Sequence, residues 1–187
     1  EHRLYQADWL IRKYGFKVIN VDKLYSSIYK KNKNLKSKLK KKFGTTNRAK
    51  IKKIVFNSYK KLKALNKITH PLIIKEVKKS IFKFNKKNII IDAPLLLEAK
   101  AQNLVDKIIV VRCSKKVQIR RILKKKKKYA KKEIENIIKS QMPLRQKLKY
   151  ANFIIDNSFS LKNTGNQVKK IIEELKLNNE KTHYSLH

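Results

Sequence analysis

Acidic residues are scarce in this chain. Asp and Glu number 13 against 50 Lys and Arg, a net charge of +37 over 187 residues. Glycine is scarcer, and its three positions, Gly15, Gly44 and Gly165, lie too far apart for a Gly-rich phosphate loop, a collagen repeat or a flexible linker. A single cysteine, Cys113, excludes a disulfide framework and a Cys-based zinc site. No apolar run approaches the roughly 18 residues of a membrane span, and no secretory leader is visible. What remains is a soluble, cytoplasmic, globular protein without a membrane partner, of a length that fits one domain or one domain with an insertion.

The excess charge invites a nucleic-acid reading, because Lys neutralises phosphate and releases counterions. The lysines, however, run along nearly the whole chain among abundant Ile and Asn. A dedicated binder concentrates charge on one face and interleaves Arg and aromatic residues. A basic nucleic-acid-binding protein, acting through non-specific charge, therefore stands as an alternative only. Lys124 to Lys128 is the one true charge run; it reads either as a solvated helix end or as a phosphate-facing lid.

Four short apolar runs, Val18–Val21, Ile89–Ile91, Ile108–Val111 and Phe153–Ile155, do not alternate strictly. They read as strands of a parallel sheet buried on both faces. Helical patterns separate them and supply the long crossovers that parallel strands need. The fold class is α/β, with helices on both faces of the sheet. Helices are expected over 3–14, stopping at Gly15; from Pro71, with Ile74, Val77 and Ile81 on one face; after Ser114; over 130–141; and over 163–175. The long stretch between the first two strands reads as a helical insertion over about 23–87. Residues 1–177 form the domain, and 178–187 a polar, frayed tail.

Asp22 follows the first strand and Asp92 ends the second. Ligand crevices of open α/β sheets lie beyond the carboxyl ends of the strands, so the two carboxylates are expected in one cleft, with His70 and the Pro94–Glu98 segment on its wall. One carboxylate can take a proton from a hydroxyl and the other can hold a magnesium ion. The plainer alternatives are a helix N-cap for Asp22 and a turn residue for Asp92. His70 reads equally as a packing residue. The run Pro94-Leu95-Leu96-Leu97-Glu98 is too apolar for a loop in water and must pack against protein or ligand.

These residues recur in an order that resembles the dephospho-CoA kinases. Gly15-Phe16-Lys17-Val18-Ile19-Asn20-Val21-Asp22 is similar to a "G-F-x-V-I-D-A-D" segment of that family. Phe43-Gly44, Arg48 with Val55-Phe56, His70-Pro71-Leu72-Ile73, Asp92-Ala93-Pro94-Leu95-Leu96-Leu97-Glu98, Gln118 to Arg121, Gln141-Met142-Pro143-Leu144 with Lys147, and Ile155-Asp156-Asn157-Ser158 follow in sequence. The resemblance implies a P-loop kinase fold and transfer of phosphate from ATP, with Mg²⁺, to the ribose 3′-hydroxyl of dephospho-CoA, the last step of CoA synthesis. It also implies Asp22 as general base; His70, Asp92, Pro94, Leu95 and Glu98 at the acceptor substrate, with Asp92 also a metal ligand; and an ATP lid over about 118–145 with Arg121, Lys124 and Lys125. Another nucleotide or nucleoside kinase of the same superfold is the nearer alternative, since fold does not fix substrate.

Three departures stand out. Asn20 replaces an Asp common in relatives, and Lys125 replaces an Arg, which keeps charge but loses the bidentate fork. No G-x-x-x-x-G-K-[ST] loop occurs in these residues. The family's first strand and that loop precede the helix ending near Gly15, so the resemblance implies a sheet with a vacant or substituted central position. It further implies that the 187 residues alone transfer phosphate poorly, since the loop's backbone N–H groups and Lys hold the donor.

Overall fold

The computed structural model describes residues 14–56, 58–84, 88–125, 138, 141–177 and 183–186. The helices expected over 3–14 and 130–141 lie outside these residues, apart from Tyr14, Ile138 and Gln141. Gly15, at the end of the first, has φ +84°, the left-handed conformation of a helix stop.

Five parallel strands form one sheet in the order β1-β2-β5-β3-β4. They are β1 (Lys17–Asn20), β2 (Ile89–Asp92), β3 (Lys107–Arg112), β4 (Phe153–Asp156) and β5 (His183–Leu186). The first four are the expected strands. β1 stops one residue early because the side chain of Asn20 accepts from the Lys23 N–H at 2.8 Å and caps the following helix, starting it at Val21.

The fifth strand corrects the reading of the C-terminus. Residues 183–186 are not a frayed end outside the domain: β5 pairs with β2 on one side and β3 on the other. That is the central position expected to be vacant or substituted, and β5 fills it. The physical reason is the unpaired edges that β2 and β3 otherwise present, each a row of backbone donors and acceptors that must be satisfied.

Between β1 and β2 the chain is helical. Helices α1 (Val21–Lys31), α2 (Lys33–Phe43), α3 (Arg48–Phe56) and α4 (Tyr59–Lys83) surround a core of Tyr29, Leu35, Leu39, Ile51 and Val55. Asn32 caps α2, and Gly44 at φ +71° ends it. Pro71 does not start a helix as expected; it lies inside α4, which is capped by Ser58. An internal proline costs about 3 kcal/mol, and burial on both sides of it offsets that cost. Leu62, Leu65, Ile68 and Leu72 face the helical core, whereas Ile73, Ile74, Val77 and Ile81 pack on the sheet core.

Helices cover both faces of the sheet. Ile90, Ile109 and Ile155 pack against Val168, Ile171, Ile172 and Leu175 of α7 (Leu161–Leu177). On the other face Ile19, Ile89 and Ile91 meet α4, while Ile108 and Val110 meet Met142 and Leu148, the latter in α6 (Leu144–Leu148). Ser114 caps α5 (Lys115–Lys125) through the Val117 N–H at 3.3 Å, as expected.

A proline placed in β5 tests its central position, because a strand paired on both sides cannot spare an N–H. Ser185→Pro is expected to cost about 1–3 kcal/mol for the broken ladder, lowering the thermal midpoint by roughly 2–12 °C. A midpoint equal to the wild type would mean that β5 is not part of the folded sheet.

Candidate functional site

The carboxyl ends of β1 and β2 lie side by side because the strands pair in register, Asn20 opposite Asp92. The two side chains bond directly, Asn20 Nδ2 donating to Asp92 Oδ2 at 2.7 Å. Asn20 thus spends its amide N–H on Asp92 and its carbonyl on the cap of α1. An Asp at position 20 would set two carboxylates against each other, so the departure at this position joins the two strand ends. The sequence alone did not single out this contact; the signal was the register of the two strands.

Asp22 lies in the first turn of α1. With Lys23, Ser26, Ser27 and Lys30, all on one face of α1, it lines a shallow, open cleft of about 390 Å³. Asp92, His70 and the Pro94–Glu98 segment, expected on the same wall, are not among the residues lining this cleft; Asp92 is bonded to Asn20, two residues from Asp22.

The Pro94–Glu98 segment divides its apolar residues. Leu96 is buried over β1 and β2, and Leu97 over β3, so the segment joins the two halves of that face across the position of β5. Pro94 and Leu95 remain exposed, Leu95 by 41%. Glu98 does not present a free carboxylate. Its Oε1 receives Lys147 Nζ at 2.9 Å and the Met142 N–H at 3.0 Å, and Lys147 also donates to the Pro94 carbonyl at 3.2 Å. Both side chains are largely buried, and Glu98 Oε2 has no hydrogen-bond partner among the described residues. Lys147 belongs to a family motif that gave it no role; its pairing with Glu98 is set by the tertiary structure. His70 is half-buried near this pair. Burial pushes its imidazole below the ordinary value, and the Glu98 charge pushes back.

At the far side of the sheet, Asp156 accepts from the Ser158 N–H at 2.8 Å and Arg112 Nε at 3.1 Å. Hydrogen bonds from Ser158, then the Arg112 charge, hold its carboxyl below the usual range. Arg121 is half-buried on α5. The side chains of Lys124 and Lys125, and half of the expected lid over 118–145, lie outside the described residues. No helix among the described residues is long and apolar enough to cross a membrane.

Two expectations follow. Lys147→Met strands the Glu98 carboxylate and is expected to cost about 3–5 kcal/mol; Glu98→Gln added to it should recover part of the loss in a double-mutant cycle. Purely additive effects would mean that the pair is not coupled. His70 contributes stability that is fully present above its unfolded pKa of about 6.5 and is lost as pH falls through that value toward the lowered folded pKa. The thermal midpoint should therefore drop between about pH 7.5 and 5.5, and His70→Gln should flatten that part of the profile.

Comparison with known proteins places this geometry. The family model for dephospho-CoA kinase matches residues 6–163. The dephospho-CoA kinase of Carboxydothermus hydrogenoformans is 34% identical over 178 residues, covering 89% of this chain and 86% of that protein. That of Aquifex aeolicus is 35% identical, covering 89% and 88%. Among solved structures, dephospho-CoA kinase from Campylobacter jejuni superposes with a TM-score of 0.61 at 27% identity, covering 91% of this chain and 90% of that one. A Thermus thermophilus crystal structure shares the fold, with a TM-score of 0.74 at 22% identity and 91% coverage of each chain. With a family match across most of its length and relatives above 30% identity over nearly the whole sheet-and-insertion frame, the chain belongs to the dephospho-CoA kinase family.

Proposed function

We propose that the protein serves ATP-dependent phosphorylation of the ribose 3′-hydroxyl of dephospho-CoA, with Asp22 as the general base. The observation that carries this reading is the position of Asp22, in the cleft at the carboxyl end of β1 and two residues from the Asn20–Asp92 bond. In the reaction the 3′-oxygen attacks the γ-phosphorus, its proton passes to the Asp22 carboxylate, and the bond to the leaving ADP oxygen breaks. A carboxylate at a strand end suits that transfer, because the helix beginning at Val21 fixes its backbone and the capped turn limits its reach.

Other residues have supporting parts in this reading. Exposed Pro94 and Leu95 offer the acceptor an apolar surface, and His70 lies near Glu98 at its end. Glu98 acts on that surface indirectly, since its carboxylate holds Lys147 and through it the Pro94 carbonyl. Arg121, Lys124 and Lys125 bring cationic charge to the donor side. Mg²⁺ binds through one or two carboxylates and shares the rest of its shell with nucleotide phosphates and water. Asp92 is the carboxylate that would hold it, directly or through water. The ion's chemistry is to neutralise charge on the transferring phosphoryl group.

Label transfer from γ-labelled ATP to dephospho-CoA tests the reading, in a polypeptide in which a strand and phosphate loop precede Glu1. Asp22→Asn is expected to lower the rate by about 10²–10⁴, the range for a positioned base, with the acceptor KM little changed. A variant retaining more than a third of the rate would remove Asp22 from the chemistry.

A further inference from the structure

Arg48, the first residue of α3, is held in an unusual way for an exposed side chain. Its guanidinium carbon stands 5.2 Å from the ring centre of Tyr25 and 5.2 Å from that of Tyr29. The two rings meet edge to face at 6.0 Å. Nη1 donates to Ser26 Oγ at 3.1 Å. The Tyr29 hydroxyl donates in turn to the Thr46 carbonyl, just ahead of α3. Both tyrosine hydroxyls are pushed up by burial, against the pull of the Arg48 charge, and so stay neutral donors. Arg48 is paired with no carboxylate among the described residues.

A long, flexible side chain ordinarily loses freedom when it is fixed. Here two aromatic faces hold it, through cation–π contacts worth about 0.5–1 kcal/mol each at exposed sites. The bond to Ser26 engages one of five donors. Ser26 itself lines the Asp22 cleft, together with Lys23 and Lys30. The arrangement is therefore a pre-set planar fork at the rim of a cleft bearing two lysines and one aspartate. A fork of this kind matches the paired oxygens of phosphate, and a lysine cannot reproduce it.

We propose that Arg48, braced by Tyr25, Tyr29 and Ser26, is the subsite for the diphosphate of the acceptor nucleotide and sets the distance from that group to Asp22. The inference rests on the proposed function for the identity of the acceptor, but the anion subsite stands on the geometry alone. The ligand class is an organic diphosphate ester. The α1–α3 contact is its frame, so that the helical insertion grips the acceptor by its most highly charged part.

The test is calorimetric titration of the 187-residue protein with dephospho-CoA and, separately, with inorganic pyrophosphate. Arg48→Ala is expected to weaken both by at least about tenfold, as for loss of a charge-assisted hydrogen bond. Arg48→Lys should weaken dephospho-CoA by several-fold, even though charge and fold are kept. Lys60→Ala, an equal charge change at an exposed position of α4, should leave both within about twofold. Tyr25→Leu should act in the direction of Arg48→Ala, while Tyr25→Phe keeps the wild-type affinity. Equal losses from Arg48→Ala and Lys60→Ala would overturn the proposal in favour of general charge attraction. So would unchanged affinity for both ligands in the Arg48 variants at wild-type thermal midpoints. Arg48-dependent pyrophosphate binding without any dephospho-CoA binding would overturn the diphosphate-ester assignment and count against the proposed function. Dephospho-CoA binding indifferent to Arg48 would overturn the subsite and leave that function standing.

Discussion

A parallel strand buried on both faces has two rows of backbone donors and acceptors, and each row needs a neighbour. β2 and β3 lie under helices on either face, so neither can give its inner edge to water. The strand between them is therefore the constraint on which the rest depends. In this chain the strand is β5, drawn from the C-terminal residues and parallel to both neighbours. Its presence lets β1 and β2 on one side, and β3 and β4 on the other, act as a single platform.

The platform sets the chemistry by register. Asn20 stands opposite Asp92, and their hydrogen bond ties two strand ends together. The same Asn20 starts α1, so the cap that ends the strand also fixes where Asp22 begins its helix. A β-sheet contact, a helix cap and the placement of a candidate base are thus consequences of one side chain. On the neighbouring loop, Leu96 and Leu97 anchor the backbone from beneath, and the Glu98–Lys147 pair anchors it from the side. This leaves Pro94 and Leu95 outward. Exposure of those two residues follows from the burial of the next two.

The charge excess has a structural side as well. A formal charge of +37 makes self-repulsion the background against which the fold is stable. The few carboxylates are correspondingly committed: Glu98 to Lys147, Asp156 to Arg112, Asp92 to Asn20. Arg48 rests on two aromatic rings, which gives it order without neutralising it.

Much of the frame was legible in order. Ile-rich runs gave four strands because burial on both faces demands apolar residues throughout. Helical spacing gave α7, and the family motifs located Asp22, Asp92 and the Pro94–Glu98 segment. Pro71 misled because its residue type favours a helix start, whereas packing of both halves of α4 on separate cores outweighs the lost hydrogen bond. The C-terminal strand was illegible, since four residues, His183 to Leu186, have no periodicity of their own and gain a place only from the edges of β2 and β3. The family motifs included Arg48 and Lys147 but gave neither a role, since nothing in composition distinguishes a braced guanidinium or a buried ammonium from a solvated one among 50 cations. Local patterning determined which segments are strands and helices, because burial and capping act on neighbours in sequence. The tertiary structure alone decided which edges are paired and which charges are held, because those depend on residues brought together from as far apart as Asn20 and Asp92, or Glu98 and Lys147.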